Sequence, residues 1–476
     1  MRSPFLSSNV MVMASACAGL LSITIVGIDE GSLLATWLLS LLFLAAGTLL
    51  LLPEQANTGR SNEVLRLFYA ASGFRVAAAV ACHFWLNAAN GSPYWNWAAE
   101  GGDEKWFYDY AGSLVTAWQT HDTDAMRASW DSQWAYYAWL VPLACIRYLG
   151  SLLEGDTVFN VKLLSCFFSA LVVPYVFRLA LWCFDLRTAR VAALVAFLLP
   201  DFWFFGACLL RDVAIACLTA MVLCEVVAGS REKLNYWRLA WATLLNFGAI
   251  LYLRLELAFL LFGICCAWLV AERLSRPARL LKLVPPVSVV ILACLLVPYT
   301  REYIFMQLES LLAPERLAYR SNINIESGIE QAAAGSFGAA VLALPPAVRL
   351  PLQLGHSLLQ LPTWAAINSY GCVPLALAGS LADTLWLGFV IFLPGGFLGC
   401  LAQARRRTLW VWGTAAVLLL ALAYAAAIMP RWRLMVMPCL VILVAHGMLL
   451  RRFRKLALGS ALAIGLLLAI YLHLKY

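Results

Sequence analysis

The chain has 476 residues, 63% of them hydrophobic and 13% charged, with a formal net charge of +8 and a mean hydropathy of +0.80. An average soluble domain carries roughly 25% charged residues, and a water-exposed globule could not cover this much apolar surface, so the composition excludes a soluble enzyme or carrier. The positive balance does not indicate nucleic acid, because the basic residues fall in short stretches between apolar segments, which is a signature of membrane topology.

At about 20 apolar residues per crossing, spans are predicted at 9–28, 33–52, 66–87, 157–182, 189–207, 212–229, 237–253, 255–272, 282–300, 380–402, 409–429, 432–450 and 456–474. Residues before the first span hold only Arg2 as a charge and no small-residue cleavage signal, so the N-terminus is expected to be retained. The basic clusters at Arg187/Arg190, Arg231/Lys233/Arg238, Arg273/Arg276/Arg279/Lys282, Arg405–Arg407 and Arg451–Lys455 all fall on one side if the N-terminus is cytoplasmic. Two long connections, 88–156 and 301–379, then face the opposite, extracytoplasmic side. Each contains an aromatic or proline-broken apolar stretch, 133–150 and 337–361, suited to a helix lying in the interface; the second could instead form a hairpin of two further spans. The expected architecture is therefore all-α: a transmembrane bundle of about thirteen spans with two extracytoplasmic loops. It divides into a two-span segment 1–65, a core 66–300 that includes the first outer loop, the second outer region 301–379 and a C-terminal transmembrane segment 380–476. Most of the fourteen cysteines lie in apolar runs as small hydrophobes, without CxxC pairs or metal-ligand spacing.

Ionisable groups at membrane depth are costly, so the exceptions are the candidates for function. The run Gly101-Gly102-Asp103-Glu104-Lys105-Trp106-Phe107-Tyr108 sets paired acids among aromatics at helical spacing, although an acid at a helix start also serves as a plain N-cap. Arg211-Asp212 marks the turn between two predicted spans, where a cap accounts for the acid but not for the arginine. Arg254 and Glu256 sit between spans with almost no polar loop, as a structural ion pair or as the lining of a wet cavity. Arg431-Trp432-Arg433 places two arginines on the outward side, against the positive-inside trend. Guanidinium is well matched to phosphate because its fork of donors engages two oxygens at once. Acids and arginines gathered on one outer face suit transfer from a lipid phosphate. A carboxylate takes the acceptor's proton while arginines hold the departing phosphate, and the lipid tail lies between spans.

Asp103-Glu104 followed by Tyr108 and Ala111, in the first outer loop, resembles the acidic motif of the GT-C-type glycosyltransferases, the superfamily of the protein O-mannosyltransferases and the lipid A aminoarabinose transferase. A second acid at the next outer turn, Asp212, matches the same architecture. The resemblance covers about residues 66–300 and, more loosely, the Arg431–Arg433 turn; the three spans before the acidic loop depart from the single span common in the family. It implies Asp103 as catalytic base, with Glu104 and Asp212 assisting. Tyr108, Arg211, Arg254, Glu256, Arg320, Arg431 and Arg433 are the candidate substrate-binding residues. The implied donor is a polyprenyl-phosphate sugar, and the acceptor a cell-envelope glycan, lipid or protein met by the second outer region. No cofactor is required on this reading, and two adjacent acids make a poor cage for a divalent cation, which stays possible only with a ligand phosphate. The rival readings are a polysaccharide polymerase or O-antigen ligase, which would rely on the arginines rather than on the acidic loop, and a flippase or transporter, which the absence of a visible internal repeat disfavours.

Overall fold

The computed structural model describes residues 9–52, 61–94, 102–133, 136–231, 236–273, 344–359, 384–403, 405–424 and 433–475, together with 301, 302, 305 and 309. The described residues form helices and turns, with no strand among them. Helices α1 (Asn9–Asp29) and α2 (Leu33–Leu51) are apolar all round and are joined by a turn in which Gly31 adopts φ +66°. Glycine takes that left-handed conformation without steric cost. Helix α3 (Ser61–Asn90) packs on α1 at a close crossing: a Cβ on Gly73 would lie 2.0 Å from the Ser15 carbonyl oxygen, so only glycine fits there.

The first long connection folds into three helices, α4 (Gly102–Gln119), α5 (Thr123–Gln133) and α6 (Tyr137–Leu152), with α4 packed against α6. Helix α7 (Val158–Cys183) follows, started by the Thr157 side chain accepting from the Asn160 amide. It is the axis of the molecule. In its most apolar stretch 89% of residues are buried, against 22% in α1 and 28% in α2, whose Leu21, Leu34, Leu42 and Leu49 point outward. An apolar exposed face on an apolar helix is what lipid, rather than water, would accept.

Helix α8 (Leu186–Leu198), capped by Asp185 through the Thr188 amide, breaks at Pro200 and continues as the short α9 (Pro200–Gly206) at a 47° bend. The predicted span 189–207 is thus broken rather than continuous. Proline lacks an N–H and displaces the carbonyl four residues earlier, so the helix cannot run through. The freed carbonyls of Ala196 and Phe197 accept from Nη2 and Nη1 of the fully buried Arg75, at 2.9 and 3.0 Å. In the same way buried Arg178 donates to the carbonyl of Leu51 at the end of α2. Both arginines serve carbonyls that helix ends leave without partners.

The chain continues through α10 (Asp212–Arg231), α11 (Tyr236–Leu253) and α12 (Leu255–Arg273), then α13 (Pro346–Leu359), α14 (Leu393–Gln403), α15 (Arg406–Tyr424), α16 (Met437–Leu449) and α17 (Arg454–Lys475). Five helices are long and apolar enough to cross a membrane, or six if the bent α8–α9 pair is one span. Apolar helices at Ala138–Leu152, Glu256–Trp268 and Met437–Leu449 are shorter. Predicted spans 9–28, 33–52, 66–87, 157–182 and 380–402 coincide with crossing-length helices, the last with Thr384–Gln403; the span at 282–300 and most of the second outer region lie outside the described residues.

Candidate functional site

The polar residues of interest collect at the end of the bundle that carries the α1–α2 turn. The first turn of α4 brings Glu104 into the interior, where it is 1% exposed while its neighbour Asp103 is exposed. Helical geometry explains the split, since adjacent residues point about 100° apart and Glu104 shares its inward face with Phe107. Glu104 Oε1 accepts from the Leu209 amide at 2.5 Å and lies 3.5 Å from the ammonium of Lys162, which is itself buried on the first turn of α7. Lys162 also donates to the Pro93 carbonyl. A charge this deep is tolerated because it is paired and hydrogen-bonded.

One turn along α4, Tyr108 lies beneath a fork of donors. Arg147 from α6 chelates Asp156 through Nε and Nη2, at 2.9 and 2.6 Å, and donates Nη1 to the Tyr108 carbonyl at 2.7 Å. Its guanidinium sits 3.8 Å from the Tyr108 ring centre. The approach depends on Gly112, where a Cβ would come within 2.3 Å of Nη1. Burial pushes the Tyr108 phenol up to about 12, so near neutral pH it is a hydrogen-bond donor and not a base.

The turn between α9 and α10 carries Leu209, Arg211 and Asp212, and so joins the acidic helix to the next pair of charges. Arg211 donates to the Leu253 carbonyl at the end of α11 at 2.8 Å, with its guanidinium 4.4 Å from the Tyr136 ring centre. Buried Asp212 lies 3.8 Å from Nη2 of Arg254, which is partly exposed. Glu256 is exposed on the first turn of α12. Arg433 is buried and donates Nη2 to Asp201 Oδ1 at 2.5 Å, beside the ring of Trp386. Arg320 and Arg431 lie outside the described residues.

Sequence reasoning missed several members of this constellation. Glu30, in the α1–α2 turn, lies 3.3 Å from His83 Nε2, and Asn87 approaches the same nitrogen at 3.2 Å. Burial raises the Glu30 carboxyl above its ordinary value, with Asp29 adding to the rise while a hydrogen bond from Thr157 and the charge of Lys162 oppose it. Arg147, Asp156, Lys162 and Asp201 were likewise not singled out. The rule that ionisable groups inside apolar spans are exceptional would have found Arg75, His83, Lys162 and Arg178 directly.

Of the candidate acids, Asp103 and Glu256 are exposed, beside ion pairs that hold three separate connections in register. No group of three or more potential metal ligands occurs among the described residues, and Asp103 with Glu104 directs only one carboxylate outward. No protein-family model matches the chain, and no curated protein is significantly similar to it.

Proposed function

We propose that the chain is a membrane glycosyltransferase of GT-C type, moving a sugar from a polyprenyl-phosphate donor to a cell-envelope glycan, lipid or protein acceptor. On this reading it crosses the bilayer about thirteen times with the N-terminus cytoplasmic, which sets the α1–α2 end of the bundle on the extracytoplasmic face. The observation that carries the reading is the Glu104 bond to the α9–α10 turn, because it fixes the helix turn that carries Asp103 against the connection that bears Arg211 and Asp212.

In the proposed step the acceptor hydroxyl gives its proton to the Asp103 carboxylate as its oxygen bonds to the anomeric carbon. The bond from that carbon to the phosphate oxygen breaks, and the electron pair leaves with the phosphate. Negative charge grows there in the transition state, which is where a preorganised guanidinium is most effective. On this reading Arg254, partly exposed beside Asp212, takes that task. Arg211 and Glu104, already committed to Leu253 and to Lys162 with Leu209, act as positioning residues. Tyr108 helps to hold α4 against α6, and Asp212 orients Arg254. Arg433 supports α9 through Asp201; Glu256, Arg320 and Arg431 complete the proposed substrate face.

The test is transfer of labelled sugar from a polyprenyl-phosphate donor to envelope acceptors by the purified chain in lipid nanodiscs. Asp103→Asn is expected to lower turnover by roughly 10²–10⁴, the usual contribution of a general base. Wild-type rates from Asp103→Asn would overturn the assignment, and no transfer from any polyprenyl-phosphate sugar by the wild-type chain would overturn the activity.

A further inference from the structure

Among the described residues of α4, every exposed position is polar: Asp103, Lys105, Asp109, Ser113, Thr116 and Gln119. Helices α1 and α2 are the opposite case, with Leu21, Leu34, Leu42 and Leu49 turned outward. Hydrocarbon would leave the outer groups of α4 without partners, so this face belongs in water or among headgroups.

Two aromatic rings lie along that polar face. Trp106 and Tyr110 follow Asp103 by three and seven residues, spacings that return to one side of a helix, and both are partly exposed. Their ring centres are 4.9 Å apart and their planes are inclined by 38°. Tyr136, just before α6, meets Trp106 edge-on at 5.3 Å and 71°. Arg211 in turn sits 4.4 Å from the Tyr136 ring centre and fixes that ring from the α9–α10 connection. The result is an aromatic ledge that begins one helical turn from the Asp103 carboxylate and runs roughly 10 Å along α4 at the usual rise per residue. An aromatic face carries the negative lobe of its quadrupole and attracts weakly positive C–H groups. A pyranose offers such C–H groups on its flat face and hydroxyls around its edge, so one sugar ring can stack on the ledge while its edge meets water and the carboxylate. An acyl chain would suit the rings but not their charged, water-facing border, and a peptide backbone has no comparable C–H face.

We propose that Trp106, Tyr110 and Tyr136 form a stacking ledge for a sugar ring of the acceptor, which makes the acceptor a glycan rather than a lipid or a protein. The inference rests on the transferase reading for the role of Asp103 and narrows the substrate of that same site. A ring stacked on Trp106 presents a hydroxyl to the carboxylate one turn away, and the three aromatic residues bind and orient the acceptor without taking part in bond making.

The experiment measures binding to the full chain in nanodiscs, by fluorescence anisotropy, of end-labelled oligosaccharides released by mild acid from the envelope glycans of the cells that make this protein. Trp106→Leu and Tyr110→Leu are each expected to weaken binding by roughly three- to tenfold, the worth of one aromatic contact. Trp106→Phe and Tyr110→Phe keep a ring and should retain most of the affinity. In the transfer assay the leucine variants should raise the acceptor KM by a similar factor while changing kcat less. If Trp106→Leu does not fold, the Tyr110 pair carries the test. Absence of oligosaccharide binding, wild-type binding by the folded leucine variants, or equal losses in the leucine and phenylalanine variants would overturn the proposal. So would transfer onto a phospholipid or a serine-rich peptide with none onto the oligosaccharides. Because binding is read without turnover, ring-dependent binding in a chain that transfers no sugar would sink the transferase reading alone.

Discussion

Arg433 donates Nη2 to Asp201 Oδ1 at 2.5 Å, across 232 positions of sequence, and each side chain is only 2% exposed. The pair ties the segment just before α16 to the first turn of α9, just past the break at Pro200. Removing one partner of such a pair leaves an uncompensated buried charge. Arg433→Met is expected to destabilise the fold by about 3–5 kcal/mol. The double variant Asp201→Leu/Arg433→Met should recover much of that loss, because no charge is then stranded. Thermal unfolding in detergent measures both, and equal losses in the single and double variants would contradict the stranded-charge account.

Arg75 supports the same break from the opposite side. Replacing it with Leu strands the carbonyls of Ala196 and Phe197, at roughly 1.5–3 kcal/mol for each charge-assisted bond lost. Arg75→Lys should fall between wild type and Arg75→Leu, since one ammonium cannot reproduce the forked geometry. Unfolding midpoints that rank the three otherwise would refute the capping role.

Adjacent acids on α4 should separate into structural and functional effects. Glu104→Ala leaves Lys162 buried without its carboxylate and is expected to cost about 3–5 kcal/mol of stability. Asp103→Asn, at an exposed position, should change stability by no more than about 0.5 kcal/mol while abolishing most sugar transfer. Measuring unfolding and transfer on the same preparations decides the matter; a stable, inactive Glu104→Ala would reverse the two roles.

Glu30 predicts a pH dependence with a definite sign. Its folded carboxyl is raised above the ordinary 4.5 chiefly by burial, so between the two values the folded state keeps a proton that the unfolded chain releases. Stability from this group is fully present below pH about 4.5 and declines as pH rises through the folded value, then levels off. Glu30→Gln removes that decline. A stability profile of the variant that kept the wild-type slope would assign the decline to another group.

Crossing-length helices α1, α2, α3 and α7 were legible because the bilayer imposes a length and a composition that can be read residue by residue. The acidic run at Asp103-Glu104 was legible too, but not the division of labour inside it. That depends on which face of α4 meets the α9–α10 turn, a contact between Glu104 and Leu209 separated by 105 positions. The bend at Pro200 was written in the sequence as a proline, yet Arg75, which makes the bend tolerable, lies 122 positions from Phe197 and carries no local sign of that duty.

Sequence alone determined that this chain is built of apolar helices and which of its charges stand against an apolar background, because both follow from the transfer cost of single residues and short segments. Only the tertiary structure decided which charge neutralises which, as Glu104 does for Lys162 and Asp201 for Arg433. Pairing energies depend on distance and burial, and these are set by how helices distant in the chain pack together.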